Sequence, residues 1–318
     1  MLPWLLAPLF LLTPLAARAD HFLLPAGEGA VIGRVERVTT SRSDTLSDIA
    51  REHGVGYREI TLANPGIDPW LPGEGTSVVV PGRYVLPDAP RHGIVINIPE
   101  MRLYFYPPAG EGPAEVVTYP ISIGRQDWRT PLGETRIVAK RANPAWYPPE
   151  SIRREHAEKG DPLPRVVPAG EDNPLGAYAL KLAMPGYLLH GTNKPYGLGM
   201  RVSHGCIRLY PRHIEELFNQ VQVGTPVTLV NQPIKAGWLG DELYLEVHPP
   251  LEEDREQFRD RYSIAIDAVL RASSRLPVID WRALERVVGQ SDGIPAVIGH
   301  AREPVEARQG EPPLAASP

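Results

Sequence analysis

Residues 188–209 read LLHGTNKPYGLGMRVSHGCIRL, a segment that joins a short apolar run to four glycines and the only cysteine of the chain. Glycine lets backbone amides approach a ligand closely. A cysteine becomes a strong nucleophile when a nearby histidine or another positive group favours its thiolate. The segment therefore offers Cys206 as a candidate nucleophile, with His190 and His204 as candidate general bases.

Spacing alone does not choose between the two histidines. His204 precedes Cys206 by two residues, so both side chains share one side of an extended chain. His190 lies further upstream at the end of an apolar run, and an adjacent strand could bring it to the cysteine. The amides around Gly205 and Cys206 could form an oxyanion hole, and Arg208 could hold a substrate carboxylate or stabilise the thiolate.

The flanking sequence is rich in short strand-like runs separated by turn residues. These runs cover residues 94–98, 102–106, 116–124, 135–139, 178–182 and 226–230. Helical patterning in this region is clear only at 212–220. Many short strands with turns between them indicate a mainly β fold, either a β-sandwich or a barrel, over residues 92–231.

The regions on either side have other patterns. Residues 31–81 predict a small β-α-α-β module, with capped helix starts and a closing strand. Residues 232–301 predict a partly helical C-terminal extension, and residues 302–318 predict a disordered tail. Residues 1–19 resemble a signal peptide because an apolar run ends in Ala17-Arg18-Ala19, which predicts export and no stable membrane span after processing.

Composition excludes several classes of protein. The net charge of -5 argues against a nucleic-acid-binding surface over the whole chain. The single cysteine excludes an intramolecular disulfide and argues against a cysteine-based zinc site. In an exported protein an unpaired thiol is either a buried filler or a reactive group.

The segment His190-Gly191-Thr192 followed by Ser203-His204-Gly205-Cys206-Ile207-Arg208-Leu209 resembles the signature of the YkuD-type L,D-transpeptidases. The resemblance covers about residues 92–231 and includes Pro120–Gly124 and Thr130–Gly133. It implies a β-sandwich beneath a loop that covers the active-site cleft. It also implies that His190 is the base, that Gly191 orients it, and that Ser203, His204 and Gly205 shape the oxyanion site.

The module at residues 31–81 is similar to LysM modules, through Ser43–Ala50, Asn64-Pro65-Gly66, Leu71-Pro72-Gly73 and Val79-Val80-Pro81. LysM modules bind the glycan of peptidoglycan or chitin. With this module ahead of the catalytic region, the chain is similar to the ErfK/YbiS branch of Gram-negative periplasmic enzymes. The resemblance implies a periplasmic location and peptidoglycan stem peptides and glycan strands as partners.

The implied reaction is acyl transfer without a metal or an organic cofactor. Cys206 attacks the carbonyl at the L-centre of meso-diaminopimelate in a donor tetrapeptide, and D-Ala leaves. The acyl group then passes to an amine, either on another stem peptide or on a lysine of an outer-membrane lipoprotein. Two alternatives remain: a Cys-His peptidoglycan peptidase, in which water replaces the amine, and a non-catalytic LysM wall-binding protein.

Overall fold

The computed structural model describes residues 20–25, 27, 29–110, 112–272 and 275–302. The predicted signal peptide at 1–19 lies outside these residues, as does the predicted tail at 302–318 apart from Arg302. Within the described ranges, no helix is long and apolar enough to cross a membrane.

The described residues form strands and helices in the following order. The strands are β1 (Asp20–Leu23), β2 (Val31–Gly33), β3 (Glu36–Thr39), β4 (Ser77–Val80), β5 (Arg83–Val85), β6 (Gly93–Asn97), β7 (Arg102–Tyr106), β8 (Glu115–Pro120), β9 (Ile123–Gly124), β10 (Gly133–Ala142), β11 (Tyr178–Leu182), β12 (Leu188–His190), β13 (Arg201–Ser203), β14 (Ile207–Arg208), β15 (Pro226–Val230), β16 (Ile234–Leu239), β17 (Glu242–Val247), β18 (Pro277–Ile279) and β19 (Ala296–Ala301). The helices are α1 (Leu46–Glu52), α2 (Tyr57–Ala63), α3 (Glu150–Glu158), α4 (Pro211–Gln220), α5 (Arg261–Arg271) and α6 (Trp281–Gln290).

The prediction of a mainly β fold is confirmed by a nine-stranded sheet in the order β1-β8-β7-β6-β15-β10-β11-β12-β14. Strand β10 joins the two halves of this sheet. Its first residues pair with β15 and its later residues with β11, with a register shift between Ile137 and Ala139. Apolar side chains from both halves, such as Leu103 and Leu189, belong to one buried cluster. The two layers of the sandwich are therefore halves of one bent sheet.

The N-terminal module, residues 31–81, is built on two antiparallel strands and two short helices. Strand β3 pairs with β4, and α1 and α2 lie between them in the chain. Helix α1 begins with a capping box in which Thr45 and Asp48 satisfy each other's backbone amides. The helices and strands bury a core of their own: Leu46, Ile49, Ala50, Val55, Ile60, Val78 and Val80.

The N-terminal module is docked against the catalytic region. The backbone amides of Tyr57 and Arg58 at the start of α2 donate to the carbonyls of Leu198 and Gly199 at 3.0 and 3.3 Å. Gly199 has φ +85°, and an added Cβ would lie 2.4 Å from the Tyr57 nitrogen. The module therefore contacts the backbone between His190 and Cys206, and glycine is required at the contact.

The C-terminal extension contains more strand than its sequence predicts. Strands β16, β17, β19 and β18 form an antiparallel sheet in that order, covered by α5 and α6. Its link to the catalytic region is a buried ionic cluster. The Lys235 ammonium pairs with Glu100, from the β6–β7 turn, and with Glu246, which also bonds His248 at 2.6 Å. Two carboxylates and a histidine are close enough there to hold a metal ion, but the Lys235 ammonium already bonds both carboxylates.

Candidate active site

Strands β12 and β14 bring the distant ends of the signature segment together. They pair in parallel, with Leu189 opposite Ile207 and His190 opposite Arg208. Cys206 immediately precedes β14, two residues before Arg208. The Arg208 charge acts on both His190 and Cys206, consistent with this placement.

His190 is held as a neutral imidazole. Its ring is buried, and Nδ1 lies 2.7 Å from the Gly191 carbonyl, with the Leu175 carbonyl also within hydrogen-bonding reach. A carbonyl only accepts, so Nδ1 carries the proton and Nε2 is left with a free lone pair. Burial, and secondly the Arg208 charge, lower the pKa of His190 to about 3. The ring can therefore accept a proton at neutral pH.

Cys206 is a partly exposed free thiol in the turn before β14. Its Sγ donates to the Gly186 carbonyl at 3.5 Å. Burial raises the pKa of the thiol, whereas the Leu188 backbone amide and Arg208 act in the opposite direction. A thiol with a raised pKa needs a base to remove its proton before it can act as a nucleophile.

The turn that carries the thiol is held by hydroxyl groups. Ser203 Oγ donates to the Cys206 carbonyl and accepts from the Gly205 amide at 3.2 Å. Thr130 Oγ1 donates to the Gly205 carbonyl at 2.8 Å and accepts from the Gly124 amide at 3.1 Å. These bonds hold the nucleophile from both sides of its turn.

An oxyanion needs an amide that is not already bonded. The Gly205 N–H is occupied by Ser203, but among the described backbone groups the Cys206 N–H has no hydrogen-bond acceptor. Gly205 has φ +98°, and a Cβ there would lie 2.9 Å from Tyr187 Cε1. The free donor of the turn is thus the amide of Cys206 itself.

His204 is directed to the loop between β10 and β11. Its Nε2 lies 3.0 Å from Glu155 Oε2 on α3, and its ring meets Trp128 edge-on at 5.1 Å. Lys159 and then Arg125 bond the same carboxylate and lower the pKa of Glu155 to about 2. The extended backbone assumed from the sequence is interrupted by the positive φ at Gly205, so the spacing of two residues does not align His204 with the thiol.

Arg208 retains unused hydrogen-bonding capacity. Its Nε is buried without a partner, and no carboxylate in the described part of the chain lies within salt-bridge distance of its guanidinium. Burial lowers its pKa below the usual range, while the neighbouring Cys206 raises it. An unpaired guanidinium beside a nucleophile suits a substrate carboxylate.

Sequence reasoning missed three supporting residues: Thr130, Glu155 and Leu175. Thr130 lies in a stretch that carries the family resemblance, so its position offered a signal. Glu155 lies on a charged helix and Leu175 contributes only its carbonyl, and neither has a local signature. Their roles depend on contacts with the distant residues His204 and His190.

Comparison with known proteins gives a consistent result. Residues 91–229 match the YkuD family, described as the L,D-transpeptidase catalytic domain. "Probable L,D-transpeptidase YcfS" of Escherichia coli K12 is 41% identical over 88% of this chain and 89% of its own length. "Probable L,D-transpeptidase ErfK/SrfK" of Salmonella typhimurium is 38% identical over 89% of this chain and 93% of its own. "Probable L,D-transpeptidase YbiS" of Escherichia coli K12 is 38% identical over 88% and 92%, respectively.

Proposed function

Because the chain belongs to the YkuD family of L,D-transpeptidases, we propose that it acts on peptidoglycan stem peptides with Cys206 as nucleophile and His190 as general base. The observation that carries this assignment is the parallel pairing of β12 with β14, which sets His190 opposite Arg208, two residues after Cys206. Family membership alone leaves the roles of individual residues open, and this pairing supports them.

The first step forms a thioester. His190 Nε2 takes the proton from Sγ as Sγ attacks the L-centre carbonyl of meso-diaminopimelate in a tetrapeptide stem. The Cys206 N–H stabilises the oxyanion, and Arg208 holds a carboxylate of the donor. The C–N bond to D-Ala then breaks, and the imidazolium returns its proton to the leaving amine.

The second step transfers the acyl group. An acceptor amine attacks the thioester carbonyl, His190 takes a proton from that amine, and the C–S bond breaks. The released sulfur recovers the proton from His190, which restores the neutral pair. The acceptor is an amine of another stem peptide or of a lysine on an outer-membrane lipoprotein. Hydrolysis follows the same path with water as acceptor.

The N-terminal module contributes glycan binding in this proposal. Trp70 is 55% exposed and its ring lies 5.9 Å from that of Tyr57, while the neighbouring Leu71 is 80% exposed. Aromatic faces open to solvent suit the apolar faces of sugar rings. Action on the cell wall, together with the signal-like sequence at 1–19, supports a periplasmic location.

Intact mass spectrometry with a disaccharide-tetrapeptide tests the assignment. The wild-type protein should gain the mass of the donor lacking D-Ala, and Cys206→Ala should gain nothing. His190→Gln, shown to be folded by circular dichroism, should acylate at least a hundredfold more slowly. An adduct that persists in Cys206→Ala, or no adduct and no D-Ala release from folded wild-type protein, contradicts the assignment. Adding an amine acceptor separates transfer from hydrolysis by the mass of the product.

A further inference from the structure

A cleft of about 440 Å³ opens where three parts of the chain meet. It is lined by Arg58 of α2, Arg201 of β13, and Arg255, Arg259 and Arg261 at the approach to and start of α5. The chain as a whole carries a net charge of -5, whereas the lining of this cleft contains five arginines and one glutamate, Glu252. Such a concentration attracts an anionic ligand.

Three of the five arginines are paired with carboxylates, and two of these pairs are weak. Arg201 is held most tightly, because both of its terminal nitrogens lie 2.7 Å from the Glu253 carboxylate. Arg259 reaches Glu256 at 3.5 Å and Arg255 reaches Glu252 at 3.8 Å, with all four side chains well exposed. Pairs of that kind are weak and exchange readily with a ligand.

Arg58 adds a buried donor to the cleft. Its Nε is shielded from solvent and has no hydrogen-bond partner. Burial, and secondly the charge of Arg201, lower the pKa of Arg58 below its usual range. A desolvated guanidinium next to a second cation is stabilised by an anion placed between them.

The cleft is connected to the nucleophile turn through β13. Arg201 begins this strand, and five residues of extended chain from Arg201 to Cys206 span at most about 18 Å. Arg201 Nε donates to the Gly124 carbonyl at 3.2 Å, and the ideal Cβ position of Gly124 lies 2.9 Å from the Cα of Gly205. Arg201 and Gly124 therefore link the lining of the cleft to the turn that carries Cys206.

Arg208 and the cleft lie on different strands of the signature segment. Arg208 belongs to β14, which pairs with β12, whereas Arg201 belongs to β13, which pairs with β9. The two-step reaction needs separate places for the acyl donor and for the amine that replaces D-Ala. With Arg208 assigned to the donor, the cleft is available to the second substrate.

We propose that this arginine cleft binds the carboxylates of the acceptor stem peptide, an inference that rests on the function proposed above. A stem peptide containing diaminopimelate bears several carboxylates along a short chain, together with the reacting amine. A protein that ends in lysine offers one terminal carboxylate beside its amine. Arg58 and Arg261 have no carboxylate within salt-bridge distance in the described part of the chain, and two unpaired cations match the first acceptor better than the second.

Partition of the acyl-enzyme between acceptor and water tests this proposal. The double variant Arg255→Gln/Arg259→Gln removes two exposed charges, and Arg282→Gln/Arg286→Gln, both exposed on α6, makes the same change in net charge elsewhere. At subsaturating tripeptide acceptor, the cleft variant should lower the ratio of transfer to hydrolysis about tenfold, and the control should match wild type. An unchanged ratio in the cleft variant overturns the proposal.

A binding experiment separates this inference from the proposed function. Cys206→Ala protein is titrated by calorimetry with the tripeptide acceptor and with the same tripeptide amidated at its carboxylates. Binding of the acid form should be about tenfold tighter, should weaken with salt, and should lose this preference in the cleft variant. Equal binding of both forms, or a cleft variant that weakens only a peptide ending in lysine, contradicts it. Failure of wild-type protein to acylate contradicts the function instead and leaves this readout intact.

Discussion

Glu59 of α2 and Arg102 of β7 form a bidentate ion pair, with nitrogen–oxygen distances of 2.7 and 2.8 Å, in the contact between the N-terminal module and the catalytic sheet. The Arg102 side chain is fully buried and also lies over the Tyr84 ring, 4.0 Å from its centroid. Burial disfavours the charge on Arg102, but Glu59 outweighs that effect and raises the pKa of Arg102.

Removing one partner of this pair should be strongly destabilising, because the other charge stays buried without compensation. We expect Glu59→Gln to lower the free energy of unfolding by about 3 kcal/mol or more, measured by urea denaturation. Glu36→Gln, in the exposed pair with Arg34, is the matched control and should change it by less than about 1 kcal/mol. Similar losses of unfolding free energy in the two variants would show that the buried pair contributes no more to stability than the exposed one.

The pH profile of donor acylation should show no fall in kcat/KM near the ordinary pKa of histidine. Since burial places the pKa of His190 at about 3, the folded enzyme keeps a neutral base down to that region. The raised pKa of Cys206 keeps the thiol protonated on the alkaline side. We expect kcat/KM for donor acylation to stay flat from about pH 5 to pH 8, within the range where the protein is folded. An acid limb with a midpoint near the ordinary histidine pKa would contradict a neutral resting pair.

The same shift has a consequence for stability. The unfolded chain protonates His190 at its ordinary pKa, whereas the folded chain resists protonation until about pH 3. The unfolded state therefore binds more protons between these values, and stability is lost as pH falls through that window. His190→Gln should make the free energy of unfolding less sensitive to pH between about 6.5 and 3. Identical pH slopes for variant and wild type would rule out the burial effect.

The two histidines of the signature should respond differently to substitution. His190→Gln should reduce kcat by at least about 10² because it removes the proton acceptor. His204→Gln removes a contact with Glu155 rather than the base, so we expect a loss of less than about tenfold and easier proteolysis around α3. Steady-state kinetics on a tetrapeptide donor, with limited proteolysis, distinguishes them. Equal kinetic losses would assign a chemical role to His204.

Ser203 should act as a positioning residue for the nucleophile turn. Its hydroxyl connects the Cys206 carbonyl to the Gly205 amide, so Ser203→Ala should free the turn and lower kcat by about 10- to 100-fold with little change in KM. Ser263→Ala, which removes a hydroxyl bonded to Asp260 on α5, should leave kcat unchanged. A loss in Ser203→Ala that appears in KM alone would point to substrate binding rather than positioning.

The family could be predicted from the sequence more fully than the assembly of the chain. Cys206, His190 and Arg208 lie in one continuous segment, so local patterning and resemblance could nominate them as site residues. The partner of His204 could not be identified in this way, because Glu155 lies 49 positions away on a helix without a marker. The two-residue spacing of His204 and Cys206 was misleading since Gly205 adopts a left-handed conformation.

The edge strands and the tertiary contacts of the fold could not be predicted from the sequence either. Residues 20–23 gave no strand signal, yet β1 pairs with β8 at the edge of the main sheet. Residues 232–301 predicted a partly helical extension, and they contain α5 and α6, but the pairing of β17 with β19 spans a long separation in the chain. Pairing of this kind depends on tertiary packing rather than on local propensity.

Because α2 is docked on Leu198 and Gly199, the N-terminal module cannot be exchanged for another domain without losing these contacts. Excising residues 31–81 would leave the Arg102 guanidinium buried without its carboxylate and would expose the backbone of the catalytic segment. Truncation would therefore damage the enzyme as well as remove a wall-binding part. Any domain grafted in its place by recombination would have to supply an acidic side chain where Glu59 stands, which limits how freely this architecture can be reshuffled.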